Sequence, residues 1–110
     1  MNGIISFGKK RTYEEFKLQI PEHIFPLFDS VREYCLSLGK NVIEDVRMHR
    51  IVFGKSMTFR WFADVEPQID SVIIKIQKNR KEQPKIIEVK NNQEISEITS
   101  IIKNAFEEIH

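Results

Sequence analysis

The sequence predicts an α+β fold, an antiparallel sheet of about four or five strands with N-terminal and C-terminal helices packed on one face. Three observations point to it. Apolar residues recur every three or four positions near both ends of the chain, they alternate with a period of two in between, and no connection between the alternating segments is long enough for a helical crossover. With 110 residues the chain has the size of one compact domain, spanning residues 1–110, of which residues 1–11 read as a loose lead-in.

Thr12-x-x-Glu15 is a capping-box pattern, in which each side chain satisfies an orphaned backbone N–H, and it opens a short helix over residues 13–18. Pro21 begins the next helix, read over residues 22–38. There Ile24, Leu27, Phe28, Val31, Tyr34, Cys35 and Leu38 form one wide apolar stripe, and Gly39 is expected to end the helix in the left-handed conformation. Pro26 falls within the first turn and a half, where most N–H groups have no intrahelical partner. The period then changes. Residues 42–46 and 48–53 read as two short strands or one bent strand, with His49, Ile51 and Phe53 on one face and His49 a candidate core histidine. The tetrad Phe53-Gly54-Lys55-Ser56 supplies a turn. Met57, Phe59, Trp61, Ala63 and Val65 then alternate strictly with Thr58, Arg60, Phe62 and Asp64, so the Phe59/Trp61/Ala63 face is expected beneath the helices and Phe62 on the opposite face. Glu66-Pro67-Gln68 breaks this strand, residues 71–77 form a β-branched strand, residues 78–84 a polar hairpin loop and residues 85–90 the last strand. Asn91-x-x-Glu94 reads as the cap of a final helix over residues 93–109, whose buried stripe is Ile95, Ile98, Ile101, Ile102, Ala105, Phe106 and Ile109.

Composition narrows the class of function. At 41% hydrophobic and 30% charged the chain is neither disordered nor collagen-like, and no apolar run approaches the ~18 residues needed to span a bilayer, so no membrane partner is expected. The 17 basic and 16 acidic residues nearly cancel, which leaves no global attraction to nucleic acid. A lone cysteine forms no internal disulfide and residues 1–11 lack the apolar core of a secretion signal, so a reducing cytoplasm is the expected compartment.

Four motifs, Leu27-Phe28-x-x-Val31-Arg32, Leu38-Gly39-x-x-Val42, Phe62-Ala63-x-Val65-x-Pro67 and Ile101-Ile102-Lys103-x-Ala105-Phe106, resemble an uncharacterised domain family labelled "predicted transport protein", found alone or at the C-terminus of predicted nuclease-like proteins. The resemblance covers most of residues 13–107. Its motifs are core and turn positions, so what it implies is a fold rather than an activity. The family carries a longer Gly/His/Asp-containing stretch before the last strand; here residues 78–84 are a minimal loop, and any site housed in that stretch is absent.

Two constellations carry chemistry. In the first, Asp70 precedes the strand triplet Glu88-Val89-Lys90, with Glu33 as a helical acid, the residue types with which Mg²⁺-dependent nucleases of the PD-(D/E)xK type hold their metal and orient water. Composition alone predicts about 1.6 acidic-x-Lys triplets, and Glu15-Phe16-Lys17 is another, so the triplet carries little information. A hairpin over residues 78–84 also sets Glu88 near Ile74, leaving Asp70 ~13 Å away along the strand. In the second, Lys75, Lys78, Arg80, Lys81 and Lys85 cluster across one hairpin beside Arg60, Phe62 and Trp61, where cations neutralise phosphates and aromatic rings stack bases. Phe62 is the one apolar residue out of place on a solvent face, unless a further helix or a dimer contact covers it. The three histidines and Cys35 lack metal-ligand spacing, and no Gly-rich phosphate loop is present, so neither metal nor cofactor is expected. The expected function is a small intracellular binding or accessory domain, associated with nucleic acid through the basic hairpin; a nuclease using Asp70, Glu88, Lys90 and Glu33 and a homodimerising module are the alternatives.

Overall fold

The computed structural model describes residues 11–55, 60–79, 81–91 and 93–109. Helix α1 (Tyr13–Phe16) starts where the capping box places it: the Thr12 hydroxyl accepts from the Glu15 N–H at 3.2 Å, and the Glu15 carboxylate accepts from the Thr12 N–H at 3.1 Å. A 3₁₀ turn over Lys17–Gln19 continues it. Helix α2 spans Phe25–Ser37, starting later than expected, because the Pro21 carbonyl accepts from both Ile24 and Phe25 N–H and closes a separate turn first. Pro26 sits in the first turn, as the orphaned N–H groups there allow. Gly39 does not adopt the left-handed conformation. It is needed for space instead, since a Cβ there would stand 3.2 Å from the Phe106 ring.

Five strands follow, β1 (Val42–Val46), β2 (Ile51–Lys55), β3 (Arg60–Pro67), β4 (Ser71–Ile76) and β5 (Lys85–Lys90), paired antiparallel in the order β1-β2-β3-β4-β5. Helix α3 (Ser96–Glu108) returns over β3 and β4, while α2 covers β1 and β3. The expected Asn91 cap does not form, because Asn91 still belongs to the end of the sheet, donating its N–H to the Asp70 carbonyl at 3.3 Å; Ile95 occupies the cap position without a side-chain bond. The core lies between this helical layer and one face of the sheet. Phe16, Phe28, Val31 and Cys35 meet Ile51, Phe53, Ala63, Val65, Val72, Ile74 and Val89 there, closed by Ile98, Ile102 and Ala105. Burial pushes the Cys35 thiol up to about 12, so it is an inert packing group.

Three expectations are corrected in the central strands. Gly54 and Lys55 are strand residues and not part of a turn, since both pair with β3; Ser56, Met57 and Phe59 lie outside the described residues. His49 is exposed in the β1–β2 turn, because the strand begins only at Ile51. The third correction decides which aromatic ring faces solvent. Phe53 pairs with Ala63 but Gly54 pairs with Trp61, so Phe62 is the extra residue of a β-bulge. The bulge breaks the strict alternation. Phe62 and Ala63 both turn to the core, where Phe62 is fully buried with its ring edge-to-face with Phe106 at 5.1 Å, while Trp61 is only half-buried on the opposite face. Gly54 permits the local approach of the two strands, as a Cβ there would lie 2.8 Å from the Arg60 carbonyl oxygen.

Candidate nucleic-acid interface on the open sheet face

The three helices of the described residues pack on one side, and none of them covers the other face of the sheet. Its residues follow from register: Asp45, Val52, Asp64, Lys75 and Ile86 form one row across all five strands, and Glu66, Ile73 and Glu88 form the next. Toward the β2–β3 end, Ile43, Gly54 and Trp61 make a third row. Here the missing Gly54 side chain leaves a hollow of about 150 Å³, walled by Trp61, Val52, Ile43, Asp45 and Arg47. Val52 is buried yet lies outside the main core, because it packs under this outer patch.

Charges on this face are laced across strands. Asp64 is 8% exposed, 3.2 Å from the Arg50 Nε and directly opposite Lys75. Burial pushes its carboxyl above the usual carboxylate range, against the pull of Arg50 and Lys75. An acid whose folded value is raised binds its proton more tightly in the folded chain, so stability falls as pH rises from the ordinary carboxylate value through the raised one. Urea unfolding of Asp64→Asn across that window is expected to lack this fall; an unchanged profile would locate the titration elsewhere.

The expected basic cluster divides between the two faces. Lys75 lies on the open face, whereas Arg60 pairs with Lys55, whose side chain reaches Ile109 and Phe106, so register puts Arg60 on the helix side; Arg60 and Lys81 line a shallow depression at that end of the sheet, with Asn79 and Glu82. The Asn79 side chain holds that loop by accepting the Lys81 and Glu82 N–H groups at 2.9 and 3.0 Å. Lys78 and Lys85 lie on the helix side, beside α3. Arg80 is outside the described residues. Phe62 is lost to the core and stacks nothing from solvent. The ring available for stacking is Trp61, placed on the wrong face by strict alternation, and a strand pattern carries no signal for an inserted residue except the awkward Phe62 itself.

The nuclease constellation does not converge. Glu88 and Lys90 alternate with fully buried Val89 and so project from the open face, where the Glu88 carboxylate accepts from the Ser71 hydroxyl at 2.7 Å and sits 3.5 Å from the Lys90 Nζ. The Ser71 bond, and then Lys90, hold Glu88 below the usual carboxylate range. Register sets Glu88 opposite Ile73, one residue from the expected Ile74. Asp70 instead turns to the helix side and bonds His23 at 3.0 Å, in the turn ahead of α2. Glu33 is exposed on α2 beside Arg32. Among the described residues no group of three His, Cys, Asp or Glu side chains is arranged to hold a metal ion, and no helix is long and apolar enough to cross a membrane. Compared with models of known families, with curated proteins and with solved structures, the chain matches nothing.

Proposed function

We propose that this protein is a binding module that takes a nucleic-acid strand across the β2–β3 end of its open sheet face. The observation that carries the reading is the bulge at Phe62, which turns Trp61 outward beside the Gly54 hollow, on the same sheet face as Lys75 and at the end of the sheet where Lys81 lies. An indole stacks on any base, and nearby lysine and arginine groups neutralise phosphates, so the arrangement suits a single strand without sequence preference. Arg80 extends the same cationic sequence.

The chain holds one tryptophan, so its own fluorescence reports on the site. Titration with decathymidylate at low ionic strength is expected to quench Trp61, with affinity falling as salt rises. Trp61→Ala is expected to weaken binding by about 1–3 kcal/mol, and Lys81→Ala to reduce the logarithmic salt slope by about 0.7, one phosphate contact. Unchanged fluorescence at low salt, or binding that ignores salt, would remove the proposal.

A further inference from the structure

We infer that the free edge of β5 is a docking site for a second polypeptide, an extended segment alternating apolar and acidic residues that adds to the sheet as a sixth strand. The inference concerns a different surface from the nucleic-acid site and stands or falls separately.

The backbone directions come from Lys90. Its N–H donates to the Gln93 side chain at 3.0 Å and its carbonyl accepts from the Gln93 N–H at 3.0 Å, so both groups point away from β4. Alternation along an antiparallel strand directs the N–H and C=O of Glu88 and Ile86 the same way. Gln93 therefore closes one end of the edge, and Pro84 precedes the other. Among the described residues, what remains open is a stretch of two residues' donors and acceptors, a length matched to a short segment and unsuited to indefinite strand addition.

Side chains on the two flanks of that edge set the partner's chemistry. Helix α3 lies over β3 and β4, and a groove of about 540 Å³ runs between it and the start of β5 at Lys85. Lys78, Lys85 and Lys103 line it, with Ile101 and Glu107. Lys78 is 3.9 Å from Glu108, whereas Lys85 and Lys103 meet no carboxylate within 4 Å among the described residues. On the opposite flank Ile86 stands 64% exposed. Successive side chains of an added strand point alternately to these two flanks. One set meets the lysines and the other meets Ile86, so acidic residues alternating with apolar ones satisfy both.

The probe is the capped hexapeptide acetyl-(Val-Glu)₃-amide, titrated into the labelled full chain with amide exchange and chemical shifts read residue by residue. Expected are slowed exchange at the Ile86 and Glu88 amides and shifts at Lys85 and Lys103. Lys85→Glu with Lys103→Glu is expected to weaken binding about tenfold, the effect of roughly two exposed charge contacts. The same peptide N-methylated at its valine amides, and acetyl-(Val-Lys)₃-amide, are expected to bind neither edge nor groove. Absence of protection at Ile86 and Glu88, equal binding of either control, or a double variant that binds unchanged would overturn the inference. Decathymidylate is expected to leave exchange at these two amides unaltered; protection by it would assign the groove to nucleic acid and overturn the peptide reading.

Discussion

Phe62→Ala is expected to destabilise the chain by about 3–5 kcal/mol, while Trp61→Ala, one residue away, costs ~1 kcal/mol. The contrast follows from the bulge. Phe62 is fully buried and packs edge-to-face on Phe106, so its removal opens a cavity between the sheet and α3, whereas Trp61 covers Val52 and the Gly54 hollow with one side in water. A loss of the larger size is a big fraction of the 5–15 kcal/mol that typically holds a domain together, and urea denaturation of the two variants reads it directly. A greater loss for Trp61 than for Phe62 would mean that the strand runs through this region without the extra residue.

The second large effect is expected at the ion pair that joins α2 to β1. Arg32 donates to both oxygens of Glu44, at 2.5 and 3.1 Å, with each side chain 19% exposed, and its guanidinium lies 3.7 Å above the Tyr13 ring. Tyr13 in turn donates to Asp29 at 2.8 Å; burial and this bond push its phenol above its ordinary value. Glu44→Ala strands a largely desolvated guanidinium whose remaining carboxylate contact is Glu33, 3.7 Å away, and is expected to cost about 2–3 kcal/mol. The double variant Arg32→Met with Glu44→Leu is expected to recover most of that, because the cost lies in leaving one charge unpaired. Equal losses in single and double variants would show that the pair contributes net attraction.

The α+β class, an antiparallel sheet of about four or five strands and the helical layer on one face were readable, because each rests on a periodicity that many residues repeat; the strand order was not. Single-residue features were less so. The Thr12–Glu15 cap was legible since both partners sit three positions apart, but Gly39 and Asn91 resembled caps while serving other needs, a close approach of Phe106 and a sheet-end bond to Asp70. The site suffered most. One inserted residue reverses every face assignment beyond it, so strict alternation exchanged Trp61 for Phe62. Lys103 escaped notice because its groove partners are 18 and 25 positions away in sequence, and only the return of α3 brings it beside Lys85 and Lys78.

Because each strand pairs with its neighbour in sequence, ordering of the sheet requires closing only short loops, and the entropy lost at each step is small. Nucleation is therefore expected among the hairpins, on the fast side for a sheet protein. The long closure is expected last, when α3 packs over β3 and β4 and the Lys55 ammonium, 4.4 Å from the Phe106 ring, donates to the Ile109 carbonyl at 2.6 Å. That single latch spans 54 positions. In the reverse direction, α3 is expected to lift while the ladder stays paired, uncovering Phe62 before the strands separate. Strengthening the latch is thus expected to slow unfolding and leave the folding rate nearly unchanged, the kinetic mark of an interaction made after the barrier.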